Sequence, residues 1–145
     1  MATKWQRIRI PLPTPIKDKE AQAEIGDLIV ERIVERTDKG VAADGRPFPK
    51  YSKGYMESLD FANAGKGSTV NLQLSGDMLA ALRVLSSTKN WIEVGFDKGS
   101  NENAKADGNI RGTYGSPTPN PKKARNFLGI SDKELTRIVK YVKGD

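Results

Sequence analysis

Asp77, Glu93 and Asp97 form the nearest set of acidic residues in this 145-residue chain, and a pair of carboxylates is what glycoside hydrolysis requires. Nothing in their spacing converges on a pocket, and ordinary surface acids account for all three. The chain has no cysteine and no histidine. Disulfides, thiolate nucleophiles, sulfur-ligated metals and histidine-based triads therefore lose their central residue. Gly65-Lys66-Gly67 lacks the spacing of a phosphate-binding loop. The expected role is not catalytic, and neither a cofactor nor a metal is expected.

The second group with chemical potential is basic. Formal net charge is +6, and Lys105–Arg125 concentrates Lys105, Arg111, Lys122, Lys123 and Arg125 against Asp107 alone. With Tyr114, these cations could meet phosphates and stack on bases, which defines a nucleic-acid-binding module as one reading. A solvated basic loop has the same composition. Region 17–39 leans acidic instead. Trp5 lies in an otherwise polar extension, where an aromatic residue gains little unless it docks on a partner. Trp91 is suited either to an exposed interface or to burial beneath the loop after it. Arg125 could bridge a neighbouring subunit through a carboxylate or anchor its own loop.

The elements that must position these groups centre on Val70–Phe96. Val70, Leu72 and Leu74 alternate with Asn71 and Gln73, as in a strand with one buried side. Ser75 caps a short helix, in which Met78, Leu79, Leu82 and Leu85 fall at helical spacing. Trp91–Phe96 returns to period two, with Ile92, Val94 and Phe96 opposite Trp91, Glu93 and Gly95. Arg83–Ser86 either continues the helix or becomes a strand pairing with Trp91–Phe96.

Upstream, Trp5, Arg7 and Arg9 alternate with Gln6, Ile8 and Ile10 before the proline-rich Pro11–Pro15. Met1–Pro15 is therefore expected to be an extended arm, either an edge strand at its start or a cover for a neighbouring subunit. Its removal is expected to affect assembly more than folding. Residues 16–145 form the single domain. Thr14-Pro15 marks a helix start, and Ala21, Ile25, Leu28, Ile29 and Ile33 form its apolar stripe. Gly26 marks a close helix contact. Residues 41–66 hold no sustained period, only large residues such as Phe48, Tyr51, Tyr55, Leu59 and Phe61 and a short helix near Ser52–Phe61. Asp97–Pro121 reads as a long polar loop, with one helical turn at Ala104–Asn109, a short strand at Arg111–Tyr114 and an extended Ser116–Pro121.

Ser131 and Glu134 form a capping box, Ile130 and Leu135 a hydrophobic staple, and Leu135, Ile138, Val139 and Val142 a buried helix face. The fold class expected is α+β: a small antiparallel sheet packed against an N-terminal and a C-terminal helix, with long irregular loops. No apolar run reaches the roughly 20 residues of a membrane span, so a cytosolic product without a membrane partner is expected.

Four short motifs, in order, resemble those of tailed-phage virion morphogenesis proteins of the tail-completion and head–tail joining type. Gly45-Arg46 with Phe48 is similar to the first. Leu72, Ser75, Gly76 and Met78 come next, then Ile92, Val94 and Gly95, then Ala124, Arg125, Phe127, Leu128 and Gly129 ahead of the capped helix. Met78 and Lys123 stand where the family usually has leucine and proline. The resemblance spans Asp44–Val142. It implies a structural virion protein of the phage neck, made in the host cytoplasm, whose ring completes the tail or joins it to the head connector. A hexamer is favoured over a dodecamer. The partners implied are connector, tail-terminator or tail-tube proteins, with sequence-independent contact to DNA in the lumen as a further option. Trp5, Arg46, Trp91, Arg111, Tyr114, Lys122, Lys123 and Arg125 are the interface candidates.

Overall fold

The computed structural model describes residues 3–48, 76–112 and 124–144. The strand expected at Val70–Leu74, the cap at Ser75, the helix near Ser52–Phe61 with its aromatic anchors, and the extended Ser116–Pro121 lie outside them. So do Tyr114, Lys122 and Lys123.

Among the described residues the sheet has three strands, β1 (Arg7–Pro11), β2 (Arg83–Ser87) and β3 (Trp91–Gly95), in the order β1-β3-β2 with both pairings antiparallel. The extended N-terminal arm thus takes its edge-strand form: Ile8 lies opposite Val94, Arg9 opposite Glu93 and Ile10 opposite Ile92. An edge position tolerates Pro11, which has no amide to give to a second neighbour. β2 and β3 form the hairpin that the sequence left open. It carries a bulge between Val84 and Ser86, where two residues face one. Because side chains alternate along a strand, Ile8, Ile10, Val84, Ile92 and Val94 line one face and Arg7, Arg9, Trp91 and Glu93 the other.

Helix α1 (Lys19–Asp38) covers the apolar face. It begins later than Thr14-Pro15 because the preceding segment is held against the β2–β3 turn: the Leu12 amide donates to Asn90 O (2.9 Å) and the Ile16 amide to Lys89 O (2.8 Å). Asp18 is the N-cap, its side chain accepting from the Glu20 amide. Ile25, Ile29 and Ile33 are fully buried along the stripe. Gly26 marks the crossing point, since a Cβ built there would stand 2.7 Å from Val84 Cγ2 and 3.6 Å from Ile92 Cγ2. Only a glycine lets the helix come this close to the sheet.

Helix α2 (Gly76–Ala80) is one short turn, and Met78, Leu79 and Leu82 all enter the core. Leu85, expected on the same helical stripe, belongs instead to β2. The larger difference comes after Phe96. Asn101–Arg111 forms an eleven-residue helix, α3, capped by Ser100 and ended by Gly112 in the left-handed region (φ 69°). The expected single turn at Ala104–Asn109 was too short, and Arg111 closes this helix rather than opening a strand. The inward face of α3 is Asn103, Ala106, Asp107 and Gly108, so half of it is polar and no apolar stripe advertises the helix.

Helix α4 (Asp132–Lys143) has the expected capping box, with both reciprocal hydrogen bonds formed. It packs beside α1, with Leu135 and Val139 buried and Ile138 and Val142 partly so. The segment ahead of it closes the core: Phe127 is fully buried and meets Phe96 edge to face at 6.1 Å. Among the described residues no helix is long and apolar enough to cross a membrane.

Candidate interaction surface

The outer face of the sheet is built by register. Arg9 stands opposite Glu93 and Pro11 opposite Trp91, while Trp5 extends the same face beyond β1. The Arg7 guanidinium lies 3.9 Å above the Trp5 ring, and the Arg9 guanidinium lies 3.9 Å above Trp91. Between them the Glu93 carboxylate reaches Arg7 Nη1 and Arg9 Nη2, each at 3.5 Å. The result is a ladder in the spatial order Trp5, Arg7, Glu93, Arg9, Trp91. Glu93 is buried beneath the two arginines, whose side chains are 44% and 57% exposed.

Each cation–π contact contributes about 0.5–1 kcal/mol at such an exposed site. Their larger effect is to hold long side chains flat before any partner arrives, which lowers the entropy cost of binding. The Trp5 indole also donates to Phe96 O at 2.7 Å, and Lys98 Nζ lies 5.6 Å from its ring. At the far margin, Arg83 binds Asp97 through Nε (2.8 Å) and Nη2 (2.5 Å).

Of the acidic trio, Glu93 is thus enclosed by arginines, Asp97 is held by Arg83, and Asp77 is exposed on α2. These contacts leave the three in separate surroundings. Among the described residues no group of three acidic side chains could hold a metal ion.

The chain leading into β1 is docked along its backbone by the polar side of α3. Asn103 Oδ1 accepts from the Gln6 amide (2.7 Å), while its Nδ2 donates to Lys4 O (3.0 Å), so one side chain continues the sheet's hydrogen bonding. Gln6 Nε2 donates to Asp107 Oδ1 at 2.8 Å. Arg111 closes the group with two bonds to the Asp107 carboxylate, both 2.7 Å. Burial pushes the Asp107 carboxyl upward, but the hydrogen bonds from Arg111 and Gln6 outweigh it and hold the group below its ordinary range. Arg111 therefore clamps its own chain.

The other described interface candidates, Arg46 and Arg125, lie elsewhere. Arg46 is exposed in the turn after α1, where the Ala42 amide donates to its carbonyl at 2.7 Å. The half-buried Arg125 donates its amide to Asn109 O at 2.6 Å, which ties its segment to α3. Among the described candidates, Trp5 and Trp91 are the two that share a surface.

Arginines 7, 9 and 83 were not singled out by type or charge. The pattern that carries Arg7 and Arg9 is the two-residue spacing of Trp5, Arg7 and Arg9 and of Trp91 and Glu93, but only the β1–β3 register brings the two series together.

No family model, curated protein or solved structure matches the chain.

Proposed function

We propose that this protein is a structural subunit of a phage neck ring, completing the tail or joining it to the head connector. The reading rests on the resemblance of its four motifs, and one structural observation supports it: three of them belong to a single frame. Ala124–Gly129 is tied to the Gly45–Phe48 turn, where the Ala43 amide donates to Asn126 O (2.9 Å) and a Gly129 Cβ would stand 2.8 Å from Ala43 Cβ. Phe127 packs on Phe96, directly after the Ile92–Gly95 strand. Motifs that act as backbone clasps suit a part whose work is to hold surfaces in fixed orientation. The protein's partners in this reading are its own copies and the adjoining connector, tail-terminator or tail-tube proteins.

Electron microscopy of the purified protein, alone and with neck components, tests the proposal. Closed rings are expected, with six copies for tail completion and twelve for a connector layer. Virions lacking the protein are expected to have unjoined or unfinished tails. Normal infectious virions in its absence would overturn the assignment. The nucleic-acid-binding alternative predicts salt-dependent binding of DNA by the isolated monomer.

A further inference from the structure

We propose that copies of this chain associate head to tail, the acidic ridge of α1 in one copy seating on the tryptophan–arginine face of the sheet in the next. The inference deepens the ring reading and rests on it for closure of the assembly.

The ridge consists of Glu20, Glu24, Asp27, Glu31, Glu35 and Asp38, all exposed. Their spacing of three and four residues aligns them along one side of the helix. From Glu20 to Asp38 the ridge runs about 27 Å. Its cationic neighbours are at the edges: Arg32 and Lys39 both reach Glu35, at 3.6 and 3.1 Å. The opposite side of α1 is the one that packs on the sheet through Gly26, Ile25 and Ile29. Ridge and ladder therefore lie on opposite outer surfaces of the same two-layer unit, pointing away from each other.

The sheet face has the matching charge. Arg7, Arg9, Arg83 and Lys98 stand against Glu93 and Asp97, both already engaged by those arginines. A guanidinium carries five N–H donors, and Glu93 meets one nitrogen of each ladder arginine. Among the described residues the remaining donors of Arg7 and Arg9 meet no other carboxylate and can bind carboxylates from outside. Tryptophan and arginine are also the residue types that most often anchor protein interfaces. A second copy fits better than a nucleic acid on two grounds. One face of each indole is already covered by a guanidinium, which leaves a base fewer surfaces on which to stack. The complementary surface is also present, at equal concentration, on every molecule. Because the two surfaces differ, the contact is heterologous, which gives a ring when the rotation between copies closes and a filament when it does not.

A charge swap provides the test. One variant inverts the ladder while keeping its internal pairs (Arg7→Glu, Arg9→Glu, Glu93→Lys). The other inverts the ridge at solvent-exposed positions (Glu24→Lys, Asp27→Lys, Glu31→Lys). Circular dichroism checks folding, and sedimentation at low ionic strength reads association. The wild type is expected to self-associate and to dissociate as salt rises. Each variant alone should associate at least about tenfold more weakly. An equimolar mixture should recover assembly, since each variant then presents what the other lacks. Should the ladder variant not fold, the ridge variant mixed with wild type still reports, because its intact ladder should cap free wild-type ridges and shorten the assemblies. Rings unchanged by both inversions would overturn this interface and leave the ring reading standing. Salt-sensitive association of the wild type alongside virions that assemble without the protein would sink the ring reading alone. A wild type that stays monomeric while binding single-stranded DNA through the ladder would overturn the inference.

Discussion

At Arg36 one side chain joins three parts of the chain. It is buried in the last turn of α1, with Nη1 3.0 Å from Glu134 Oε1 and Nη2 donating to Phe127 O and Gly129 O at 2.8 Å each. Burial lowers its pKa, against the raising effect of Glu134. Arg32 Nε donates to the same carboxylate at 2.6 Å. Removing one partner of such a pair leaves an uncompensated buried charge, so Glu134→Ala is predicted to cost about 3–5 kcal/mol, measured by urea unfolding. The same group gives an acid limb. Burial raises the Glu134 carboxyl, but the Ser131 amide, Arg32 and the Arg36 charge bring it below its ordinary value of 4.5. On acidification the unfolded chain takes this proton first. The stability it contributes is complete above pH 4.5 and is lost as pH falls through the lower folded value. Unfolding midpoints of Glu134→Gln should therefore fall less steeply below that pH than those of the wild type.

Gly26 gives a second prediction at this scale. Gly26→Leu forces a side chain into the 2.7 Å approach to Val84 and should destabilise by about 1–3 kcal/mol. Val84→Ala in the same chain should recover part of that loss, which a double-mutant cycle measures.

Among the elements, α3 carries the clearest consequence of a polar interior face. Asn103 is 1% exposed and holds both Lys4 O and the Gln6 amide. Asn103→Ala leaves these backbone groups without their partner and is expected to cost about 1–3 kcal/mol. Amide exchange at Gln6 should accelerate, while protection at Ile92 and Val94 in the central strand persists. Loss of protection throughout the sheet would mean that α3 supports the fold globally. This helix was hidden from periodicity because its buried residues are Asn103, Ala106, Asp107 and Gly108. Hydrophobic patterning sees nothing in them, although Ser100 three residues before Asn103 is a usable start and Gly112 a usable stop. By contrast α4 was legible to the residue, since its cap, staple and apolar face are all local.

At the scale of the molecule, β1 and the residues just ahead of it are structural. β1 supplies one of the two strands that flank β3, and Ile10 from it is 5% exposed. Deleting residues 1–11 removes that strand and uncovers the central one, so cooperative thermal unfolding should disappear. Removal of Met1–Pro15, expected from the sequence to affect assembly more than folding, should on this ground affect folding as well. A deletion variant with the wild-type midpoint would return the strand to the status of a dispensable arm.

The α+β class, the apolar stripe of α1, the alternation in β3 and the whole of α4 followed from the sequence, because each depends on residues within a turn or two of one another. The same was true of the capping box. Tertiary structure decided the rest. Which residues of β1 oppose which residues of β3 is a choice of register between segments more than 80 residues apart, as the Arg9–Glu93 pair illustrates. That choice turned Trp5, Arg7, Glu93, Arg9 and Trp91 into one surface, and it turned Asn103 and Asp107 from loop polarity into a dock. Local spacing constrains faces, but only long-range pairing determines which faces meet.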